Sequence, residues 1–256
     1  MADVKKALAC IKMKREICPQ IFDMWLENSE IAGNAKPGQF LSIYMKEGSR
    51  LLPRPISICE VDQEHGRLRI VYRIAGKGTE ELSNYSVGDM VEIMGPLGNG
   101  FLMDEEKSAI IIGGGIGIPP MLELAKNLTC KKTIVLGYRD VCFLADEFTT
   151  YGEVYIATEN GSTGTRGNVI DAMNEHHLTA DVIYACGPTP MLRGVKAFAN
   201  EHNIKAQISM EEKMACGIGA CLACVCKSKE KDHHTNVNNK RICKDGPVFF
   251  ADEIEL

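Results

Sequence analysis

The sequence lacks three features that would each place it in a broad class of proteins. It has no excess of positive charge, since 29 Lys and Arg are outnumbered by 34 Asp and Glu, and nucleic-acid binding is therefore not expected. Its most apolar run, residues 109–125, contains four glycines, two prolines and a glutamate, so we expect no membrane-spanning helix. Residues 1–20 contain no continuous apolar stretch of the kind a secretory signal needs. These absences favour a cytoplasmic protein.

A disulfide framework is not indicated either, although cysteine is abundant. The chain has eleven cysteines, an odd number that, without a secretory signal, fits reduced thiols and a metal centre better than disulfides. Its 256 residues, 45% of them hydrophobic and 25% charged, are typical of a folded protein with two ordinary domains and a small appendage.

Four cysteines near the C-terminus have a diagnostic spacing. Four residues separate Cys216 from Cys221, two separate Cys221 from Cys224, and eighteen separate Cys224 from Cys243. This is the plant-type order of the thiolates that bind a [2Fe–2S] cluster. The sequence therefore predicts that these four residues are metal ligands.

The residues between these cysteines suit a loop that curls around a cluster. Gly217 and Gly219 can adopt positive φ, and the neighbouring alanines let backbone N–H groups approach inorganic sulfide. The alternatives are structural zinc and an unliganded cluster of thiols, but zinc sites usually pair two CxxC knuckles, and only one is present here. Cys226 breaks the spacing and is predicted not to be a ligand. The polar segment 227–240 is predicted to be a solvated hairpin tip or loop whose His233 and His234 do not bind metal.

The remainder of the chain shows two different periodicities. Residues 7–101 alternate with period two in six short runs, which predicts an antiparallel β-barrel. From residue 108 to 209, strand patterns alternate with helix patterns, which predicts a parallel sheet with helices on both faces. We therefore predict an α+β multidomain fold with domains at 1–101, 102–210 and 211–256. The barrel strands are predicted at 8–11, 22–26, 40–45, 56–61, 68–74 and 90–94, the later strands at 108–112, 133–138, 153–158, 181–185 and 205–209, and the helices at 119–128, 144–148, 168–175 and 190–200.

Two segments of the predicted barrel suit a flavin nucleotide. Arg54, at the start of a strand, can bind a pyrophosphate with two parallel hydrogen bonds, and Ser57 could reach the edge of a flavin ring. Pro55 and Ile56 lie between them. The alternative is a solvated arginine beside an ordinary strand.

The second segment is a strand followed by a glycine turn that leads into a helix. The N-terminus of a helix attracts phosphate through its free N–H groups and its dipole. The alternative for Gly78 and Thr79 is a plain helix cap. The residues of this segment predicted to contact the cofactor are Val71, Tyr72, Arg73, Gly78 and Thr79.

Three loops of the predicted parallel sheet are candidates for binding a second nucleotide. A glycine-rich turn lies between a strand and a helix, which is the context of a dinucleotide phosphate loop. It does not match GxGxxG, because proline or isoleucine replaces the third glycine. Two further loops, at 137–140 and 186–191, follow the carboxyl ends of strands, and each alone could be a simple turn. The candidate residues are Gly113, Gly114, Gly115, Gly117, Tyr138, Cys186, Gly187 and Pro188.

Together these segments resemble the ferredoxin–NADP reductase superfamily over nearly the whole chain. The appended cysteines are similar to those of the electron transfer subunits of dihydroorotate dehydrogenase B. The resemblance implies that residues 54–57, 71–73 and 78–79 bind FAD and that the four cysteines bind the [2Fe–2S] cluster. It also implies an NAD site formed by residues 113–117, the loop around Tyr138, residues 158–162 and residues 186–188. Arg139 would favour a 2′-phosphate and Asp140 a free ribose, so the choice of NAD over NADP rests on the resemblance.

The resemblance further implies a role in pyrimidine biosynthesis. A separate subunit would oxidise dihydroorotate on FMN, and electrons would reach NAD⁺ through the cluster and FAD, in a heterotetramer of two catalytic and two electron transfer subunits. A barrel that oxidises dihydroorotate needs about 250 residues of its own, so a protein partner is required. No side-chain acid or base is needed in this chain, and no catalytic residue is predicted. Cys186 would lie near the nicotinamide or act as a packing thiol.

Two other functions remain open from the sequence. One keeps the cofactors and changes the partner, as in the small subunit of an NADH-dependent ferredoxin:NADP⁺ oxidoreductase or a sulfide dehydrogenase. The other is a non-enzymatic binding module with zinc in place of the cluster and a vestigial flavin site. The phosphate loops and the cluster spacing disfavour this last reading, because both would have to arise by chance.

Overall fold

The computed structural model of the chain describes residues 4–48, 50–103, 106–231 and 236–256. The predicted solvated histidines, His233 and His234, lie outside the described residues. None of the helices in these ranges is both long enough and apolar enough to span a membrane.

The N-terminal part is a closed antiparallel barrel, as predicted from the period-two runs. Its strands follow the order β1, β2, β5, β4, β3, β6 around the barrel. The alternation of side chains places Leu41 and Ile43 in the barrel core, whereas Phe40 packs outside it against the C-terminal segment. The strands are β1 (Lys5–Cys18), β2 (Ile21–Glu27), β3 (Phe40–Tyr44), β4 (Arg54–Asp62), β5 (Arg67–Arg73) and β6 (Met90–Leu97).

Two short helices accompany the barrel. Helix α2 (Lys77–Ser83) follows β5 and contains the predicted helical residues after the glycine turn. Helix α1 (Ser29–Ala32) was not predicted. It begins after Asn28, whose side chain accepts a hydrogen bond from the Ile31 N–H. Four residues are too few to show a helical period, so only the capping residue could have indicated it.

The second part is a seven-stranded sheet in the order β10, β9, β8, β7, β11, β12, β15. All neighbouring strands are parallel except β12 and β15, which confirms the predicted parallel sheet. The strands are β7 (Ser108–Gly114), β8 (Lys131–Tyr138), β9 (Glu153–Thr158), β10 (Thr165–Arg166), β11 (Val182–Cys186), β12 (Lys205–Ser209) and β15 (Val248–Phe250), and the helices are α3 (Pro120–Asn127), α4 (Ala145–Phe148), α5 (Val169–Glu175) and α6 (Thr189–His202).

The cysteine segment is held by both of the larger parts. Strands β13 (Val225–Lys227) and β14 (Asn239–Arg241) of this segment pair as a hairpin. They include both ends of the segment 227–240, which was predicted to be a hairpin tip or loop. Cys224 and Cys243 are buried in an apolar cluster that also contains Phe40 and Met94 of the barrel. A few residues later, β15 pairs with β12 of the large sheet. The cluster-binding segment therefore has a fixed position relative to both nucleotide regions.

A buried ion-pair network joins the barrel to the nucleotide region. Arg69 on β5 is 4% exposed and donates to both carboxylate oxygens of the fully buried Asp23, at 2.8 and 3.0 Å. It also donates to Glu147 on α4, at 2.5 and 2.9 Å. A charge buried to this extent needs such partners to offset its lost hydration. The network therefore helps to fix the two regions relative to each other.

Replacing Arg69 with leucine is expected to destabilise the protein strongly. The substitution leaves the buried carboxylate of Asp23 with only the half-exposed Arg15 as an ionic partner, and removing one partner of a buried ion pair typically costs about 3 kcal/mol or more. The change is measured as the thermal unfolding midpoint of the intact protein. Arg67→Leu is the matched control on the same strand, because Arg67 is 37% exposed and pairs with the half-buried Glu27 at 3.4 Å. Equal losses for the two variants would contradict the role assigned to the network.

Candidate functional site

The predicted flavin segments meet at the start of helix α2. Arg54 is the first residue of β4, and its guanidinium donates to the Leu52 carbonyl at 2.7 Å. The same guanidinium lies directly against Gly78, where a Cβ atom would overlap it. The structure thus places a positive charge beside the N-terminus of a helix, an arrangement that suits a pyrophosphate.

The Thr79 side chain is part of the helix cap, which is the alternative given above for this residue. Its hydroxyl accepts hydrogen bonds from the N–H groups of Ala75 and Gly76, at 2.9 and 3.2 Å, and donates to the Gly76 carbonyl at 2.9 Å. The hydroxyl therefore makes its hydrogen bonds, both as donor and as acceptor, within the turn. Thr79 shapes this turn, and any contact with a ligand would come from backbone N–H groups near it.

The strand that begins with Arg54 borders open space. Residues 54–57, including Pro55, Ile56 and Ser57, are all half-buried, whereas the next two residues of the strand are buried. A barrel strand normally alternates between an interior and an exterior side chain. Four partly open positions in succession fit a strand that forms one wall of a ligand cleft.

Tyr72 supplies an observation that tests the fit of a flavin. Its side chain is 1% exposed, its ring stacks on Phe22 with centroids 5.8 Å apart, and its hydroxyl has no hydrogen-bond partner among the described residues. Burial raises the pKa of Tyr72, so the hydroxyl remains a donor. A bound cofactor can provide the acceptor that it lacks. Arg73 next to it is exposed, whereas Val71 belongs to the apolar core.

The glycine-rich loop and the loop at 186–188 touch each other at the carboxyl edge of the sheet. A Cβ atom on Gly117 would overlap the backbone of Cys186, and one on Gly114 would lie 3.3 Å from Pro188. Gly187 packs against Met191 and Gly114. In contrast, Gly115 has a φ of +54° and no neighbour within 4 Å of where a Cβ would lie. The loops are tightly packed where they meet, whereas the backbone at Gly115 is open, which fits a backbone surface that binds phosphate.

The side chains of three other candidate residues, Tyr138, Thr158 and Cys186, help to fix the shape of these loops. The Tyr138 hydroxyl donates to the Phe143 carbonyl at 2.8 Å, and the Thr158 hydroxyl donates to the Thr163 carbonyl at 2.8 Å. Burial raises the pKa of Cys186 to about 12, so its thiol is protonated at neutral pH and cannot act as a nucleophile there. The structure therefore favours packing as the role of Cys186. Tyr138 would influence a nucleotide through its loop rather than through its hydroxyl.

Replacing Gly117 with alanine is expected to weaken nicotinamide nucleotide binding. The added methyl group overlaps the Cys186 backbone, which cannot move without separating the two loops. We expect KM for NADH to rise about tenfold, or about 1.4 kcal/mol, in an assay with an artificial electron acceptor. Gly194→Ala on α6 is the control, since its nearest neighbour is the Ile170 side chain at 3.1 Å. An unchanged KM in a folded, flavin-containing Gly117 variant would contradict the prediction.

The four predicted ligand cysteines form two pairs. The Cys221 side chain lies beside the Cys216 thiol, and the Cys224 side chain lies beside that of Cys243. The Ala220 N–H donates to the Cys216 sulfur at 3.3 Å, and the Cys243 N–H donates to the Cys224 sulfur at 3.4 Å. The arrangement fits a [2Fe–2S] cluster, in which each iron takes two protein ligands.

The charge environment of the loop also suits thiolates. Burial acts to raise the pKa of Cys216, but hydrogen bonds from the Ile218 N–H and from Cys221 outweigh it, and the pKa falls to about 6. Gly217 and Gly219 have φ values of +71° and +85°, as expected for a loop that turns its N–H groups inward. Bound metal would displace the proton of the more buried Cys243, whose pKa burial raises to about 12.

The thiols are not grouped for a single metal ion. Within the described ranges, no three His, Cys, Asp or Glu side chains form a group that could hold one ion. A zinc site needs four ligands about 2.3 Å from one centre, whereas two irons and two sulfides separate the thiolates of a cluster. Cys226 lies on β13, and its thiol donates to the Lys240 carbonyl at 3.6 Å. Its exclusion from the ligand set stays a prediction.

Comparison with known proteins agrees with this three-part site. Profiles of the oxidoreductase FAD-binding domain and the oxidoreductase NAD-binding domain match residues 10–101 and 111–197. The profile of the iron–sulfur cluster binding domain of dihydroorotate dehydrogenase B matches residues 211–255. The dihydroorotate dehydrogenase B (NAD(+)) electron transfer subunit of Caldanaerobacter subterraneus subsp. tengcongensis is 42% identical over 250 residues, 97% of this chain and 98% of that one. This chain belongs to the family of dihydroorotate dehydrogenase B electron transfer subunits.

Other members and a solved structure extend the comparison. The dihydroorotate dehydrogenase B electron transfer subunit of Fusobacterium nucleatum is 41% identical over 254 residues, covering 94% of this chain and 95% of the relative. The structure of an NADH-dependent reduced ferredoxin-NADP oxidoreductase, studied for flavin-based electron bifurcation, superposes with a TM-score of 0.88 at 31% identity. It covers 97% of this chain and 90% of that chain. A ferredoxin reductase of carbazole 1,9a-dioxygenase, with a TM-score of 0.66 at 18% identity over 78% of this chain and 67% of that chain, shares the fold.

Membership of the dihydroorotate dehydrogenase B electron transfer subunit family confirms the predicted cofactor set. The chain is an oxidoreductase with FAD-binding, NAD-binding and iron–sulfur domains, and its role is electron transfer in pyrimidine biosynthesis. The individual ligand residues stay predictions. The Phe22 ring that stacks on Tyr72 could not be predicted, because nothing in the spacing of an aromatic on one strand indicates its partner on another.

Proposed function

We propose that this chain is the NAD⁺-reducing subunit of a two-component dihydroorotate dehydrogenase. Electrons from an FMN-containing catalytic subunit would pass through the [2Fe–2S] cluster and FAD to NAD⁺. The observation that supports this most strongly is the match over nearly the full chain to electron transfer subunits, a name that implies a catalytic partner. We also propose two subunits of each kind, a cytoplasmic location, and domains at 1–101, 102–210 and 211–256.

The chain's own residues would bind and position the cofactors. A flavin supplies the exchange between single electrons from a cluster and a hydride on a nicotinamide. Arg54 and the start of α2 would hold the pyrophosphate of FAD, and Tyr72 would donate to the cofactor. The open backbone at Gly115 would receive the nicotinamide nucleotide. Protein groups that exclude water and fix distances are sufficient for this task, so the chain needs no acid or base.

The surface around the cluster loop supports docking of the catalytic subunit at that point. Cys221 is exposed, and three apolar side chains of the same segment are also exposed, namely Ile218 at 53%, Leu222 at 47% and Val225 at 37%. Leu222 has a φ of +56°, a strained conformation for a residue with a large side chain. An apolar rim around a redox centre suits a partner that must bring its own cofactor close.

Reconstitution tests the proposed function. The purified chain, loaded with FAD and cluster, is mixed with the FMN-containing catalytic subunit of a dihydroorotate dehydrogenase, and NADH formation from dihydroorotate and NAD⁺ is followed at 340 nm. We expect NADH only when both proteins are present, and a complex whose native mass corresponds to two copies of each. A complex that oxidises dihydroorotate with an artificial acceptor but forms no NADH would refute the proposal.

A second candidate function is electron exchange between ferredoxin and nicotinamide nucleotides. It is favoured by the similarity to the ferredoxin-NADP oxidoreductase structure, with a TM-score of 0.88. The same loaded protein is assayed with reduced ferredoxin and NADP⁺ in place of dihydroorotate and NAD⁺. Turnover with ferredoxin, together with failure to bind the FMN subunit, would support this function over the first.

A further inference from the structure

The outer face of strand β3 carries one polar side chain in an apolar setting. Phe40 and Tyr44 point outward from the barrel and pack in the cluster of apolar residues that also contains Met94 and Leu97 of β6. Side chains at i and i+2 on a strand share a face, so Ser42 lies between these two aromatic residues. It is fully buried, with an exposure of 0%.

The hydroxyl of Ser42 lacks a hydrogen-bond partner anywhere in the described parts of the chain. Burying a hydroxyl without a partner costs about 1–3 kcal/mol, and most buried polar groups are therefore paired. A partner that is not part of the polypeptide would remove this cost. The position of the hydroxyl identifies what that partner can be.

The hydroxyl lies against the backbone of the cluster loop. A Cβ atom on Gly217 would stand 2.9 Å from the Ser42 oxygen, 3.4 Å from the Leu97 Cδ1 atom and 3.5 Å from the Met94 Cε atom. Gly217 directly follows Cys216, the first of the predicted ligands. The Ser42 hydroxyl thus borders the loop at the residue that follows the first predicted ligand.

We propose that Ser42 donates a hydrogen bond to the sulfur atoms of the bound [2Fe–2S] cluster on its Cys216 side and raises the reduction potential of the cluster. Cluster sulfurs and ligand thiolates are negatively charged acceptors, and hydrogen bonds to them are among the factors that set the potential. The added negative charge of the reduced cluster strengthens such a bond, so the donor favours reduction. Ser42 would thus be a hydrogen-bond donor to the cluster that the flavin barrel supplies. The inference rests on the proposal that the four cysteines bind the cluster.

The strand that carries Ser42 also connects the cluster to the flavin region. Ser42 pairs with Pro55 across β3 and β4, and Pro55 is the neighbour of Arg54. The group that adjusts the potential therefore belongs to the same two-stranded unit as the predicted flavin contacts. A displacement of either cofactor loop would alter the distance between this donor and its acceptor.

The test compares Ser42→Ala with Tyr44→Phe in the full-length protein loaded with FAD and cluster. Tyr44 is the matched control because its hydroxyl lies on the same face and already has an acceptor, the Met94 sulfur, at 3.8 Å. The midpoint potential is measured by EPR-monitored redox titration, and exchangeable protons near the reduced cluster are measured by pulsed EPR in H₂O and D₂O. Unfolding of the cluster-free proteins is measured in parallel.

For Ser42→Ala we expect a more negative midpoint potential and the loss of one exchangeable-proton coupling, with wild-type values for Tyr44→Phe. Without the cluster, Ser42→Ala should be at least as stable as the wild type, because it removes an unpaired buried hydroxyl. An unchanged potential and unchanged proton couplings would overturn the inference, as would a marked loss of stability in the cluster-free variant. Absence of a [2Fe–2S] signal from the loaded wild-type protein would instead overturn the proposed ligand set, and the inference with it.

Discussion

Replacing Cys224 with serine is expected to abolish electron transfer between the partner subunit and NAD⁺. Cys224 is 2% exposed and interacts with Cys243, so its thiolate would be a ligand in the buried half of the cluster site. A serine hydroxyl is a poor replacement for a soft thiolate ligand. We expect loss of the [2Fe–2S] EPR signal and at least a hundredfold lower rate of dihydroorotate-dependent NADH formation, a change of about 2.7 kcal/mol.

The matched control for this variant is Cys226→Ser. Cys226 lies two residues further along and is half-buried, and its thiol donates to the Lys240 carbonyl at 3.6 Å. We expect this variant to keep its cluster and its activity. Both variants should still oxidise NADH with an artificial acceptor of the flavin, since that reaction bypasses the cluster. Loss of the cluster from Cys226→Ser, or its retention in Cys224→Ser, would show that the ligand set is wrong.

Replacing Gly78 with alanine is expected to weaken the binding of FAD. The new methyl group would occupy the position of the Arg54 guanidinium, and displacing that group would remove the charge-assisted bond that we propose between Arg54 and the FAD pyrophosphate. Such a bond contributes about 1.5–3 kcal/mol. The dissociation constant for FAD should therefore rise by a factor of about 10 to 100, measured by fluorescence titration of the deflavinated protein.

Gly76→Ala in the same turn provides the comparison. Gly76 has an extended φ of 171°, and no atom lies within 4 Å of where its Cβ would be. We expect nearly unchanged FAD affinity for this variant and a loss for Arg54→Met similar to that for Gly78→Ala. If Gly78→Ala weakened FAD binding while Arg54→Met did not, the guanidinium would not be the phosphate ligand.

The parts of the fold that could be predicted are those with long or repeated patterns. Six runs of period-two alternation indicate the barrel, and the regular exchange of strand and helix patterns indicates the parallel sheet. Strand β10, at Thr165–Arg166, has two residues and shows no period. The three residues of β15 are apolar, but nothing in Val248–Phe250 shows that they pair with β12. Short elements take their structure from the surface they pack against, which the local sequence does not encode.

Site residues could be predicted where the sequence has a fixed spacing, but not where their role depends on a contact with a distant part of the chain. The four cysteines could be predicted as ligands because one loop must present three ligands at fixed spacing. The importance of Gly78 could be suspected from its place before a helix, but the Arg54 guanidinium that requires a glycine there is visible only in three dimensions. Ser42 has no sequence signal at all, because the loop that covers it is far away along the chain. Its partnerless hydroxyl becomes evident only when burial and hydrogen bonding are examined together.

The antiparallel pairing of β15 with β12 limits how the cluster segment could have been gained or lost during evolution. Cutting the chain at residue 211 would remove the strand that pairs with this edge of β12, including the partners of the Ala206 carbonyl and the Met210 N–H, each bonded at 2.8 Å. Exposed edges of this kind promote aggregation. A reductase without the cluster segment therefore needs another strand or a charged edge at this position. If the cluster segment were exchanged between proteins, the edge strand β15 of the large sheet would have to be transferred with it.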